Sequence, residues 1–383
     1  MAYRMILNET SYFGAGSISC IVDEVKKRGF KKALIVTDGD LIRFKVATKV
    51  FDILASAGLA YSVFDKVIPN PTIEVVQQGV EAFRQSGADY LIAIGGGSPQ
   101  DTCKAVGIII NNPEFADVRS LEGGAATKNA AVPMIAIPTT AGTAAEVTIN
   151  YVITDVQNRR KFVCYDPHDI PIVAIIDAEM MASMPASLKA ATGVDALTHA
   201  IEGYITKGAW ELTDMLHLKA IEIIGRSLRA SVQGNTEGAE GMALGQYIAG
   251  MGFSNVGLGL VHGMAHPLGA FYGTPHGVAN AVLLPHIMAY NAEYTGEKYR
   301  DIAVALGYPQ AATLPIAQAR QAAIDAVAQL NQDVNIPARL RDVGMKEQDI
   351  DALAAAALAD VCTGGNPRDT SLEEIKTLYR QIY

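Results

Sequence analysis

A histidine-bearing stretch without any charged residue constrains this chain more than any other feature. It runs from Gly241 to Ala292, contains no Lys, Arg, Asp or Glu, and holds four of the seven histidines. The four are His262, His266, His276 and His286. A long uncharged run is normally buried, and a buried imidazole needs a partner that offsets its desolvation. Because the run itself offers no acid, that partner must come from elsewhere in the fold or be a metal ion.

An acid and a histidine upstream share one face of a predicted helix. Asp195 and His199 are four residues apart, and Glu202 lies close to the same line on the helix surface. The residues around them are mostly apolar, which indicates that this polar face points inward. A buried carboxylate and imidazole are costly unless both are satisfied, so the pair needs a common partner.

These segments together predict one metal site. His262 and His276 would join Asp195 and His199 in a set of one Asp and three His, while His266 is either a further ligand or a proton-transfer group. Any one of these histidines could be an ordinary hydrogen-bonded core residue, but the whole set without nearby charge favours a metal. Catalytic zinc usually has three protein ligands and an open position. Four ligands plus a substrate oxygen suit Fe²⁺ somewhat better, with Zn²⁺ as a competitor.

Size and composition exclude several classes of protein. A chain of 383 residues, half of them hydrophobic and 19% charged, indicates a globular protein of two domains. The net charge of −9 disfavours nucleic acids and anionic membranes as partners. The N-terminus lacks the apolar core of a signal peptide, and Gly, His, Asn and Pro interrupt the uncharged run. We therefore expect a cytoplasmic protein that acts on small molecules.

The two halves of the chain differ in their patterns. Short buried strands alternate with helices in the first half, which predicts an α/β, Rossmann-like dinucleotide-binding domain with a parallel sheet over residues 1–184. The predicted strands are 33–37, 61–65, 90–94, 133–137 and 173–177, and a β-hairpin over 148–165 is predicted as an insertion in that layer. From residue 185 to 383 the pattern is Ala-rich and helical, which predicts an all-α metal-binding domain.

Two glycine-containing loops follow predicted strands. In the first, Gly95 to Asp101, the glycines allow close approach of a ligand, and Ser98 and Asp101 predict a capped helix start with Pro99 at its first position. Thr143 and Glu146 predict a second capped helix start. A helix N-terminus behind a glycine turn is a ready anion site, although either loop could be an ordinary tight turn. The first loop is not the G-x-G-x-x-G fingerprint.

Asp38 follows the first long predicted strand. An acid at that position commonly bonds a ribose 2′-hydroxyl and repels a 2′-phosphate, which favours NAD over NADP. Helix capping by Asp38 or Asp40 is the alternative explanation.

The motifs taken together resemble the iron-containing (group III) alcohol dehydrogenases over essentially the whole chain. They are Gly95-Gly-Gly-Ser-x-x-Asp101, Pro138-Thr-Thr-x-Gly-Thr-x-x-Glu146, Asp195-x-x-x-His199-x-x-Glu202 and His262-Gly-Met-Ala-His266 through His276-Gly. Within the family, the segments 5–10 and 362–368 are most similar to members that reduce lactaldehyde to 1,2-propanediol. The resemblance implies an NAD(H)-binding domain, a helical domain that binds Fe²⁺, and a homodimer.

The resemblance also implies roles for individual residues. The implied metal ligands are Asp195, His199, His262 and His276, with His266 near the substrate. The implied cofactor-binding residues are Asp38, Asn70, Gly96, Gly97, Ser98, Asp101, Thr139, Thr140, Gly142, Thr143 and Lys161. The implied substrate-channel residues are Asn150, Phe253 and Cys362.

The expected reaction is reversible reduction of a short 2-hydroxyaldehyde by NADH, with the metal polarising the carbonyl. His266 is the candidate for proton relay, because the pKa of an imidazole ordinarily lies near neutrality. Three alternatives remain: a zinc-dependent glycerol-type dehydrogenase, a non-redox synthase of the dehydroquinate type, and a structural, filament-forming relative. The synthase would need basic residues for a phosphorylated substrate, and the uncharged run supplies none.

Overall fold

The computed structural model describes residues 2–383, which divide into two compact units. The first unit contains residues up to Thr140 together with Ala144–Met184, and the second contains Ala141–Thr143 and Pro185–Tyr383. The first is an α/β unit and the second is helical, so the predicted fold class is confirmed. Among residues 2–383, none of the helices combines the length and apolarity that crossing a membrane requires.

A parallel sheet of six strands forms the centre of the first unit, in the order β1-β8-β5-β4-β2-β3. The eight strands of the unit are β1 (Thr10–Phe13), β2 (Lys32–Asp38), β3 (Ala60–Val67), β4 (Tyr90–Gly95), β5 (Met134–Pro138), β6 (Asn150–Asp155), β7 (Arg160–Tyr165) and β8 (Val173–Ile176). The two central strands β4 and β5 are buried at every residue, as expected where helices cover both faces of a parallel sheet. Both strands end beside each other, with Gly95 opposite Pro138.

Five α-helices pack against this sheet. They are α1 (Ile21–Arg28), α2 (Gly39–Arg43), α3 (Thr48–Ser56), α4 (Ile73–Ser86) and α5 (Gly97–Asn111). One face of the sheet buries apolar side chains of α1 and α3, and the other face buries those of α4 and α5. The core therefore fixes the start of α5 directly after β4, where the first glycine loop lies.

Two features of the first unit differ from the sequence-based expectation. The hairpin β6–β7 is not part of the main sheet but forms a separate antiparallel pair that packs on the α4 and α5 side. The edge strand β1 was not predicted, because its four residues do not form an apolar run and none of them is buried. It pairs with β8 from Thr10 to Phe13.

Nine α-helices make up the described part of the second unit. They are α6 (Ala186–Ile205), α7 (Glu211–Val232), α8 (Thr236–Val256), α9 (Leu260–Tyr272), α10 (His276–Asn291), α11 (Lys298–Ala305), α12 (Ile316–Asp333), α13 (Ile350–Ala359) and α14 (Leu372–Ile382). The uncharged run Gly241–Ala292 forms most of α8 and all of α9 and α10. Helix α6 is buried from Gly193 to Ile205, so Asp195, His199 and Glu202 are shielded from bulk water.

Candidate active site

Four potential metal ligands from three helices converge in the second unit. Asp195 and His199 lie one turn apart on α6, His262 lies in the first turn of α9, and His276 begins α10. One ligand atom from each lies within 4.8 Å of all the others. The Asp195 carboxylate is 3.9 Å from His262 Nε2 and 3.7 Å from His276 Nε2. The first three side chains are buried and His276 is partly exposed, so the cluster is reached from the side of His276.

Two of the imidazoles are held so that the Nε2 lone pair faces the cluster. His199 Nδ1 lies 3.2 Å from the carbonyl oxygen of Gly142, and His262 Nδ1 lies 2.6 Å from Glu202 Oε2. The Gly142 carbonyl oxygen can only accept, so His199 Nδ1 carries the proton. Burial raises the pKa of Glu202 to about 8, and in its ionised form this carboxylate also accepts, from His262 Nδ1, which leaves Nε2 of both rings as the acceptor. Burial lowers the pKa of both imidazoles, and neighbouring histidines lower that of His262 further. Neutral imidazoles are the form that binds metals.

An amide nitrogen marks the point on which the acceptors converge. Asn280 Nδ2 lies 2.7 Å from Asp195 Oδ1, 3.1 Å from His262 Nε2 and 3.1 Å from His276 Nε2. With His199, whose ligand atom lies within 4.8 Å of the other three, they make one carboxylate oxygen and three imidazole nitrogens, a donor set suited to a divalent transition metal. The residues present therefore fit such an ion.

A second polar group adjoins this cluster. His266 Nδ1 lies 2.8 Å from Asp360 Oδ2, and the His266 ring stacks on His276 with centroids 5.4 Å apart. The backbone N–H of Cys362 donates to Asp360 Oδ1 at 2.9 Å. Since the carboxylate accepts from His266 Nδ1, the Nε2 atom of His266 is left to accept or pass a proton. Burial raises the pKa of the Cys362 thiol, so the thiol is protonated at neutral pH.

The first glycine loop of the α/β unit is shaped for close approach. A Cβ on Gly95 would lie 2.4 Å from Pro99, and one on Gly96 would lie 3.0 Å from Thr140 Cγ2. Gly96 precedes the first turn of α5, and no side chain caps that helix end. The Thr140 hydroxyl is buried without a hydrogen-bond partner in the part of the chain that the structure describes. An uncapped helix start beside an unsatisfied hydroxyl fits a phosphate group.

The predicted capping pair of this loop is wrong. Ser98 and Asp101 do not cap α5, because the Ser98 hydroxyl accepts from the backbone N–H of Asn70 at 3.2 Å. Asp101 Oδ2 accepts from the backbone N–H of Val152 at 3.1 Å. Pro99 is the third residue of α5 rather than the first.

The second predicted helix start is also wrong. After β5 the chain makes only a single 3₁₀ turn, Ala145–Val147, and neither Thr143 nor Glu146 caps it. The residue before this turn, Ala144, adopts a left-handed conformation with φ of 54°, whereas a capping residue is normally extended. The anion-site argument from a helix dipole therefore holds for the first loop alone.

Three other residues predicted to bind the cofactor lie in the first unit. Asp38 Oδ1 accepts from the backbone N–H of Leu41 at 2.9 Å, so Asp38 does cap α2. Lys161 Nζ donates to Asn70 Oδ1 at 2.8 Å. Because Asn70 also donates to Ser98, the residues Ser98, Asn70 and Lys161 form one hydrogen-bonded chain.

Comparison with known proteins decides the family. Residues 8–178 match the family model for iron-containing alcohol dehydrogenase, and residues 189–383 match its C-terminal domain. The chain belongs to the iron-containing alcohol dehydrogenases. It is 68% identical to the lactaldehyde reductase of Escherichia coli strain K12, with all of both chains covered. It is 39% identical to the NAD-dependent methanol dehydrogenase of Bacillus methanolicus, with 97% of each chain covered.

A solved structure of a 1,3-propanediol oxidoreductase is also similar, with a TM-score of 0.96 at 40% identity and all of both chains covered. The predicted family and its main activity are thereby confirmed: the chain is an oxidoreductase that acts on alcohols and aldehydes. Family membership supports NAD(H) and a metal as its cofactors.

The remaining predicted site residues of the dehydrogenase fall into both units. Gly97 begins α5, and Thr139 and Thr140 follow β5 in the first unit, whereas Gly142 and Thr143 belong to the second. Asn150 begins β6 in the first unit. Phe253 lies on α8 in the second unit and stacks flat on His199, with ring centroids 4.3 Å apart.

Two residues near the cluster were missed by sequence reasoning, and Glu202 was noticed without a role. Asn280 follows His276 by one helical turn, so the helical period could have revealed it. Asp360 gave no signal, because it lies 94 residues from His266 in the sequence. Glu202 supplies the acid that the uncharged run lacks.

Proposed function

We propose that this dehydrogenase interconverts lactaldehyde and 1,2-propanediol with NAD(H) and Fe²⁺. The observation that carries the proposal is the convergence of Asp195, His199, His262 and His276 in a chain 68% identical to a lactaldehyde reductase. Four protein ligands and a substrate oxygen favour Fe²⁺, while Zn²⁺ remains a competitor for the same donors.

Residues 1–184 are proposed to bind NAD(H), and residues 185–383 the metal. The uncapped start of α5 and the unsatisfied Thr140 hydroxyl support a pyrophosphate at the first loop. The Asp38 carboxylate accepts from the backbone N–H groups of Leu41 and Asp40, and its remaining lone pairs can accept from a ribose hydroxyl. Its charge would repel a 2′-phosphate, which supports NAD over NADP.

A bound divalent metal acts as a Lewis acid on a carbonyl oxygen, and NADH supplies the hydride. The protein's own contribution is orientation and proton transfer. Glu202 and the Gly142 carbonyl hold His262 and His199 in the tautomer that points Nε2 at the cluster. Asp360 holds the Nδ1 proton of His266, so that His266 Nε2 can take up a proton from solvent and pass it by a relay to the alkoxide oxygen, which becomes the product hydroxyl.

Asn150 supports a 2-hydroxyaldehyde as the substrate. Its side-chain oxygen is buried and has no hydrogen-bond partner among residues 2–383. A vicinal hydroxyl group on the substrate would donate to this oxygen, whereas propanal has no such group. A site built to bond a hydroxyl discriminates strongly against an analogue that lacks it. In the second unit, Phe253 and Cys362 are proposed to contact the substrate.

The substrate proposal is tested by comparing kcat/KM for lactaldehyde and propanal. We expect lactaldehyde to be preferred, and Asn150→Ala to bring the ratio down at least about tenfold. Asn158→Ala, in the turn of the same hairpin, should keep the wild-type ratio. Comparable efficiency of the wild-type enzyme with both aldehydes would contradict the role of Asn150.

Metal reconstitution separates the alternatives. Metal-stripped protein, reloaded anaerobically with Fe²⁺ or with Zn²⁺, is assayed for NADH oxidation with lactaldehyde. Activity with Fe²⁺ alone supports the proposal, and activity with Zn²⁺ alone indicates a glycerol-type dehydrogenase. Inactivity with both ions argues against lactaldehyde as the substrate.

The dehydrogenase is further proposed to be a cytoplasmic homodimer. Light scattering coupled to size-exclusion chromatography measures the mass in solution. A mass of one 40.6 kDa chain would contradict the dimer.

A further inference from the structure

Lys104 is a buried lysine that the proposed reaction does not use. It lies on α5 with 1% of its surface exposed. Its ammonium group donates to the carbonyl oxygen of Thr148 at 2.6 Å, to the Thr148 hydroxyl at 3.0 Å and to the carbonyl oxygen of Asn150 at 2.8 Å. A lysine has three N–H donors, and a buried ammonium is tolerated where they are satisfied. All three donors therefore bind Thr148 and Asn150, at and just before the start of β6.

Asp101 holds the same strand two residues further on, at Val152. It precedes Lys104 by one turn of α5, and its Oδ2 accepts from the backbone N–H of Val152 at 3.1 Å. The two side chains of opposite charge thus fasten β6 to α5 at Asn150 and Val152, and fasten Thr148, two residues before the strand, as well. Because two side chains of α5 bind this strand, β6 can move little relative to α5.

The hairpin returns to the start of α5 by a second route. Lys161 stands opposite Thr154 in the β6–β7 pair, and its ammonium donates to Asn70 Oδ1. Asn70 in turn donates from its backbone to the hydroxyl of Ser98, in the first turn of α5. The contacts therefore close a ring from α5 through Lys104, β6, β7, Lys161 and Asn70 back to α5.

We propose that Lys104 is a positioning residue, which holds β6 against α5 and thereby places Asn150 for the substrate and Lys161 for NAD(H). Lys104 itself has no free donor and touches neither ligand. The proposal rests on the proposed function for the roles of Asn150 and Lys161. A shift of about 1 Å in such groups can cost a hundredfold in rate, which is why the position of a strand matters.

The test is Lys104→Met in the full-length enzyme, because methionine fills a similar volume without a donor. NADH binding is measured by fluorescence titration without substrate, alongside kcat, KM and metal content. We expect the Kd for NADH to rise at least about tenfold and kcat with lactaldehyde to fall, with metal content unchanged. Lys32→Met is the matched control, since Lys32 also donates to a backbone carbonyl, that of Ser86, in the same unit. It should keep the wild-type values.

A second variant separates position from charge. Lys104→Met leaves Asp101 and the nearby acids Asp169 and Glu146 without their cation, so it should also lower the melting temperature. Asp101→Asn removes one of these charges and keeps an acceptor for Val152. In the double variant we expect the melting temperature to recover in part, while the Kd for NADH stays raised. Recovery of both would show that Lys104 acts through charge alone and would overturn the proposal.

A third variant covers the case in which Lys104→Met does not fold. Lys104→Gln keeps two donors and should fold. We expect its Kd for NADH to be higher than that of the wild type, but by less than tenfold. A folded Lys104 variant with the wild-type Kd and the wild-type kcat would overturn the positioning role. Failure of wild-type protein to bind NADH would instead overturn the proposed function, so the two failures are distinguishable.

Discussion

Glu202 accepts a hydrogen bond from Nδ1 of His262 at 2.6 Å, and both side chains are buried. The same carboxylate accepts from the backbone N–H of Val261 at 2.7 Å, which locks its orientation. An acid behind a histidine ligand fixes the tautomer and raises the basicity of the opposite nitrogen. We therefore infer that Glu202 orients His262, one of the proposed metal ligands, without being a ligand itself.

Glu202→Gln should weaken metal binding without abolishing it. The amide keeps an acceptor for the Nδ1 proton but loses the negative charge, and loss of such a partner typically costs about 10- to 100-fold in metal affinity. Competition with a chelator, followed by metal analysis, measures the affinity. Glu222→Gln, on the exposed face of α7, is the control and should bind metal as the wild type does. Unchanged affinity in Glu202→Gln would mean that His262 is not a ligand or that its tautomer is fixed elsewhere.

His262→Ala should remove the metal and the activity while NADH still binds. The proposed ligands all belong to the second unit, and the first glycine loop belongs to the first. Metal content and NADH titration are therefore measured on the same sample. His286→Ala, further along the uncharged run, should retain both. Full iron occupancy in His262→Ala would rule out the ligand assignment.

Asp38→Asn should admit NADPH. The substitution removes the charge that would repel a 2′-phosphate, and asparagine caps a helix about as well as aspartate, so the bond to Leu41 can persist. This separates the cofactor effect from helix stability, which Asp38→Gly would confound. We expect kcat/KM for NADPH to rise and the melting temperature to stay near the wild-type value. If Asp38→Asn is stable and still does not use NADPH, the only role of Asp38 is to cap the helix.

The metal cluster was predictable because local rules govern its parts. Helical periodicity places Asp195 and His199 on one face, and the cost of burying uncharged histidines demands a partner for His262 and His276. The parallel strands were predictable for a similar reason, since burial on both faces leaves an apolar run.

The capping prediction at Ser98 and Asp101 failed, and Asp360 and β1 were missed, because the partners of these residues are remote in sequence. Ser98 and Asp101 have the spacing of a cap, but tertiary contacts with Asn70 and Val152 take their side chains. Asp360 reaches His266 only through the fold of the C-terminal region. The edge strand β1 is half-exposed and pairs with β8, more than 150 residues later, so no local apolar pattern identifies it.

The affinity for NADH should fall as the pH rises through about 8. Burial lowers the pKa of Lys161 to about 8, and the neighbouring carboxylate of Asp101 opposes this shift. Lys161 is therefore charged below that pH, where it attracts the anionic dinucleotide, and neutral above it. Loss of a contact worth roughly 1 kcal/mol would raise the Kd about fivefold.

Fluorescence titration of NADH on either side of pH 8 measures this dependence. Lys161→Met should bind NADH weakly at every pH and show no such step, whereas Lys66→Met, an exposed lysine on β3, should behave as the wild type does. Asp101→Asn should move the step to lower pH, because removing that carboxylate leaves burial unopposed. A wild-type Kd that stays constant through this range would show that the charge of Lys161 plays no part in holding the cofactor.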